Sequence, residues 1–239
     1  AADVRQYAPA GQLWRTNVEG TRHVIDLCQR HRLQLAHIST IAVNKVHSLG
    51  AGGKGQGAGE YSPNGDDYCP NSQTPKLPNS LIERLSDSPT PYLQSKAEAE
   101  RVVSEAVRQE RLQAQILRVG NLTARQSDGV FQRHAETNAF HLLAEALQAL
   151  DCYPAPLADV VVDLSPVDVT ARRLVDALAQ PFDGRVTDLS SPDKTTVGAL
   201  ARGWQLQPVG TDEFMRRVGT SSLTDIQRMV TKGWLHLTF

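Results

Sequence analysis

The sequence predicts an α/β fold built on a parallel sheet flanked by helices, and two observations carry that prediction. Helix-like and strand-like segments alternate along the chain, the pattern that lays strands side by side through helical crossovers. Glycine and proline, meanwhile, gather mostly between those segments.

Taken in order, Asn17 to Arg32 places Val18, Val24, Ile25, Leu27 and Cys28 at helical spacing, and Leu33 to Ser39 reads as a short buried strand. A second unit repeats the design. Pro91 to Glu110 is rich in Ala, Glu, Lys and Arg, with Val102, Val103 and Val107 as its stripe, and Leu112 to Val119 is strand-like. Between the units, residues 44–90 hold LGAGGKGQGAGE at 49–60 and PNSQTPKLPNS at 70–80, and read as a loop insertion. After Asp128 the pattern predicts a helix over 136–150, a strand from Val160 to Leu164 and a helix from Pro166 to Gln180 with proline in its first turn. Short helices are expected over 195–205, 211–218 and 222–231. This divides the chain into a core unit, 1–127, and a smaller lobe, 128–239, with 160–180 packing back on the core.

Composition narrows the function. With 25 basic against 26 acidic residues and a net charge of -1, no electrostatic footprint for nucleic acid or an anionic membrane is present. Cys28, Cys69 and Cys152 are scattered, odd in number and form no CxxC pair, which argues against a disulfide framework or a zinc site and for a reducing cytoplasm. No apolar run approaches the roughly 20 residues of a membrane span. The opening, Ala1-Ala2-Asp3-Val4, reads as a chain entered partway through a fold.

Three motifs bear on chemistry. Gly50, Gly52 and Gly55 have GxGxxG spacing, but the fingerprint works only in a tight turn between a strand and a helix, and EYSPNGDDY does not continue as a helix. A flexible loop is the better reading. Tyr92 and Lys96, in YLQSK, share one helix face. There an ammonium stabilises phenolate, lowering the tyrosine pKa, and can also bond a ribose hydroxyl. The bland alternative is a solvated helix face. Thr40 closes the first strand, and a hydroxyl at the carboxyl end of a parallel strand faces the crevice where α/β ligands bind. Its bland alternative is a cap or turn. His37 reads as packed rather than ligating, and Asp163 and Asp168 as an N-cap and a first-turn carboxylate around Pro166.

On NVEGT at 17–21, HIST at 37–40 and YLQSK at 92–96, the chain resembles the extended short-chain dehydrogenase/reductases. RVGNLTARQSDGVFQ at 118–132 and VDLSPVD at 162–168 narrow the resemblance to the thioester reductase domains of non-ribosomal peptide synthetases and carboxylic acid reductases. It runs from Ala1 to about Ala179. It implies a Rossmann-like sheet followed by a substrate-binding subdomain at 128–239, and assigns catalysis to Thr40, Tyr92 and Lys96. Cofactor contacts fall to Ala1 and Ala2, to Tyr92 and Lys96, and to Gly120, Asn121 and Leu122; Asn17 opens the helix that supports the site. The resemblance places the glycine-rich turn, the first strands and the basic residues that select NADPH upstream of Ala1. Thr40 and Tyr92 also stand further apart than such enzymes usually place them. The implied activity is NADPH-dependent reductive release of an acyl or peptidyl thioester from a phosphopantetheine-bearing carrier protein, as aldehyde or alcohol. Two alternatives stay open: a nucleotide-sugar epimerase or dehydratase, and a non-catalytic truncated or carrier-docking fragment.

Overall fold

The computed structural model describes residues 2–5, 8–44 and 90–238. The segment read as a loop insertion, with its GxGxxG spacing and Cys69, lies almost wholly outside the described residues.

The first helical run starts earlier than the apolar spacing predicts. α1 (Ala10–Trp14) passes through a π-helical turn at Arg15–Glu19 into α2 (Gly20–His31). Pro9 opens it, its carbonyl accepting the N–H groups of Gln12 and Leu13, both at 3.0 Å. Asn17 therefore lies inside the run, in the π turn, and does not open the helix. The run ends at Arg32, left-handed at φ 54°, where the Leu33 N–H closes on the Cys28 carbonyl at 2.9 Å.

β1 (Leu35–Thr40) follows, then α3 (Pro91–Arg108). Thr90 caps α3 by accepting the Leu93 N–H at 3.3 Å, and Pro91 fits the first turn because no N–H is needed there. Next come β2 (Ala114–Val119), β3 (Leu122–Thr123), α4 (Ala139–Leu150), β4 (Cys152–Pro154), β5 (Val161–Asp163), β6 (Ser165–Pro166), α5 (Val167–Leu178) and β7 (Asp183–Asp188). β8 (Lys194–Thr196), α6 (Val197–Gly203), β9 (Gln207–Val209), α7 (Thr211–Thr220) and α8 (Asp225–Thr238) follow, and single 3-10 turns lie at Ala135–Thr137 and Ala155–Leu157.

The central sheet is parallel, in the order β1-β2-β7, with Leu35 opposite Ala114 and Thr40 opposite Val119. Its register puts Ile116 on the face covered by α2 and α3, among Ile25, Cys28, Val103 and Ala106. Leu117 points to the other face, under Ala177 and Leu174 of α5. A second core, around Leu147, Leu157, Phe214 and Val218, draws all its members from residues 139–234. The sequence periodicity does not predict β7: DGRVTD has one apolar side chain, and the pairing with β2 makes it a strand. Among the described residues no helix is long and apolar enough to cross a membrane, and no cluster of His, Cys, Asp and Glu could hold a metal ion.

Candidate active site

Parallel pairing brings the carboxyl ends of β1 and β2 together, and α3 lays its first two turns against them. Tyr92 is 9% exposed and packs with Ala8, Leu13, Leu93 and Ala42, the last only two residues beyond Thr40. One turn on, Lys96 is buried, and its ammonium donates to the Ile38 carbonyl of β1 at 2.8 Å. The solvated-face alternative for YLQSK thus does not hold. Burial draws the Lys96 ammonium down to about 8, partly offset by the nearby Glu100 carboxylate. Tyr92 departs from the expected lowering, because burial pushes its phenol up to about 12. The phenol accordingly keeps its proton at neutral pH, the state a proton donor needs. Thr40 does form a turn, its Oγ1 accepting the Ala42 N–H at 3.3 Å. That bond leaves the hydroxyl hydrogen to donate elsewhere.

The π turn delivers Asn17 to this assembly. Its Nδ2 donates to Ser95 Oγ and to the Asp3 carbonyl, both at 3.0 Å, while its Oδ1 accepts the Asp3 N–H at 2.8 Å. Ser95 in turn donates to the Tyr92 carbonyl at 2.8 Å. The segment beginning at Ala2 is thereby pinned beside α3. Ala2 itself is exposed and outside any strand, and Ala1 lies outside the described residues.

The loop leaving β2 holds the other expected contacts. Asn121 and Leu122 are exposed and Gly120 is half-buried. Asp163, at the end of β5, accepts the Asn121 N–H at 2.9 Å, the Ser165 hydroxyl at 2.8 Å and the Lys194 ammonium at 2.5 Å. It is no helix cap: α5 has Pro166 at its N-cap without a side-chain cap. Gly120 is required there, since a Cβ would come within 1.7 Å of Asp163 Oδ2. Asp168 does occupy the first turn of α5, and its carboxylate reaches back to the N–H groups of Gln126 and Ser127 at 2.9 and 3.3 Å. Those bonds hold its carboxyl down at about 2. Beside this loop, Leu122, Thr123, Val130, Phe131 and Val167 line an open groove.

Sequence reasoning missed Glu100, Arg118 and Lys194. The buried Glu100 and the half-buried Arg118 form an ion pair at 2.6 Å between α3 and β2. Hydrogen bonding to Glu100 raises the Arg118 guanidinium further. His37 is packed in β1 as expected. Burial and the Lys96 charge pull its ring down to about 4, and its Nε2 is buried without a hydrogen-bond partner.

The profile of an NAD-binding family described as male sterility protein matches residues 1–174. No curated protein matches the chain. Among solved structures, a thiolation-reductase di-domain from an archaeal non-ribosomal peptide synthetase is similar at 27% identity and a TM-score of 0.66, over 97% of this chain and 46% of that one. The reductase domain of the aureusimine biosynthetic cluster gives 29% and 0.64, over 98% and 55%. The terminal R domain of the myxalamid PKS-NRPS pathway gives 23% and 0.67, over 100% and 54%, a likeness of fold alone. The chain thus spans about half the length of these three structures.

Proposed function

The chain belongs to the male sterility family of NAD-binding proteins, with the Rossmann-like parallel sheet of the extended short-chain dehydrogenase/reductases, and from that premise we propose that it reduces carrier-bound thioesters with NADPH. The substrate class is an acyl or peptidyl group on the phosphopantetheine of a carrier protein in the cytoplasm, released as aldehyde or alcohol. One observation carries the reading: a buried Lys96 bonded to β1, the strand that ends in Thr40, one helical turn from a buried Tyr92. The thiolation-reductase di-domain supports a carrier partner, because it joins the two modules in one protein.

Gly120, Asn121 and Leu122 would hold a nicotinamide, the exposed Asn121 and Leu122 offering a surface beside the two strand ends and Lys96 bonding a ribose hydroxyl, and that group would supply hydride when bound. Thr40 and Tyr92 donate hydrogen bonds to the thioester oxygen, where negative charge builds as the carbonyl carbon is reduced. Tyr92 passes its proton to that oxygen, giving a hemithioacetal. Breakage of the carbon–sulfur bond releases thiol and aldehyde, and a second reduction yields the alcohol. Lys96 holds positive charge beside the phenolate left behind. The groove beside Leu122 gives the acyl group a path toward the 128–239 lobe, to which substrate binding is assigned.

Tyr92→Phe tests this. It should remove most thioester-dependent NADPH oxidation, by roughly the 10²–10⁴-fold that a positioned proton donor contributes. Titration followed by nicotinamide fluorescence should still show cofactor binding. Turnover equal to that of the parent protein would overturn the assignment.

A further inference from the structure

The groove beside Leu122 is held in shape by bonds on three sides. The loop 125–130 that lines it is closed by the Arg125 N–H on the Val130 carbonyl at 3.0 Å and the Gly129 N–H on the Arg125 carbonyl at 2.9 Å. From α5, the Asp168 carboxylate accepts the Gln126 and Ser127 N–H groups of the same loop at 2.9 and 3.3 Å. Phe131, next along the chain, stacks on His141 of α4 with 5.5 Å between ring centroids. The apolar lining is nevertheless uncovered: Val130 is 51% exposed, and Leu122 and Val167 are 37% exposed each. A preformed apolar concavity beside a reacting centre is a place for a ligand.

Charge decides what kind of ligand. Two arginines line the groove, and among the described residues no acidic side chain does. Arg125 is paired with Asp128 at 2.8 Å. Arg133 has neither an ion pair nor a side-chain hydrogen bond among the described residues. The carboxylates nearest to it along the chain are engaged elsewhere, Asp128 by Arg125 and Glu136 by His134 at 3.1 Å. The Arg133 guanidinium therefore offers an open, planar fork of N–H donors, the geometry that a carboxylate matches with both oxygens.

We infer that this groove selects an acyl or peptidyl group that bears a carboxylate, with Leu122, Val130 and Val167 against its carbon chain and Arg133 on the carboxylate. This rests on the proposed reaction at the thioester end and adds to it, because hydride and proton transfer at the carbonyl are indifferent to what the far end of the acyl group carries. The anion is placed on the acyl group and not on phosphopantetheine, whose phosphate lies on the thiol side of the thioester.

Nonreactive thioethers of pantetheine test this without any hydride transfer. In isothermal titration calorimetry, the ω-carboxyheptyl thioether should bind the parent protein about tenfold more tightly than the octyl thioether, the margin of one charge-assisted pair at a partly exposed site. Arg133→Gln should bring the two affinities together and leave octyl binding unchanged. Arg125→Gln should keep the margin. Val130→Asp, at an exposed position, puts a carboxylate into the groove and should weaken the octyl ligand severalfold. Equal affinities or no binding in the parent, a margin that survives Arg133→Gln, or octyl binding indifferent to Val130→Asp would each overturn the inference. So would a preference for phosphopantetheine over pantetheine thioethers that disappears in Arg133→Gln, since the guanidinium would then belong to the phosphate. None of these measurements needs turnover, so an active Tyr92→Phe enzyme would sink the proposed reaction and leave this result standing.

Discussion

At the scale of single residues, the site is held by close approaches that spacing along the chain does not reveal. Gly120 is the sharpest case. A methyl group there would collide with the Asp163 carboxylate, which receives the Asn121 N–H, the Ser165 hydroxyl and Lys194. Gly120→Ala must displace that carboxylate from the buried Ser165 hydroxyl and from its other partners, at a cost of about 2–4 kcal/mol. Gly11, in α1, meets nothing within 4 Å, so Gly11→Ala should instead stabilise by about 0.5–1 kcal/mol through helix propensity. Urea unfolding of the two variants checks both signs, and equal midpoints would refute the packing argument. Tyr92 and Lys96 were legible because their relation is a local one, a single helical turn. Arg118 and Glu100, or Asn121 and Asp163, meet only once the sheet has brought distant segments together. Even for Tyr92 the spacing points to the opposite sign of shift, because it shows the neighbouring ammonium and not the burial.

At the scale of elements, strongly periodic segments were readable and context-made ones were not. α3 was legible from end to end, including its proline. The π turn was not, because one extra residue in a turn leaves no mark in composition; yet it is this turn that brings Asn17 to Ser95 and so to the start of α3. β7 escaped for the opposite reason, having too little apolar character to announce a strand. The caps allow the role of α3's first turn to be isolated. Thr90 accepts the Leu93 N–H ahead of Tyr92, and Asn138 accepts the His141 N–H at the start of α4. Thr90→Ala and Asn138→Ala should each cost about 1 kcal/mol of stability. Only Thr90→Ala should also lower thioester turnover, since it loosens the turn that carries Tyr92. Stability and steady-state rates measured on both variants decide this; matched losses of rate would mean that the cap acts through stability alone.

At the scale of the whole molecule, two apolar cores share one chain, and the path of the chain between them matters. The first core lies on the two faces of the parallel sheet, and the second around Phe214. The chain leaves the first core after β2 and returns to it as α5 and β7 before entering the second again at β8. The seam is polar where it is best defined: Asp163 joins Asn121 to Lys194, and Ser165 Oγ accepts the Ser191 N–H at 2.8 Å. Polar bonds at a partly solvated seam contribute roughly 1 kcal/mol each, against several kcal/mol for each large side chain in a core. The two cores should therefore open separately. Phe214 is fully buried, and Phe214→Ala should cost about 3–5 kcal/mol, borne by the second core. In native-state hydrogen exchange, amides of α4, α7 and α8 should lose protection by that amount while those of β1 and β2 keep most of theirs. A uniform loss across both sets would instead make the molecule one cooperative unit, and the substrate-binding role proposed for 128–239 would then have to be sought in a lobe that cannot move independently of the sheet.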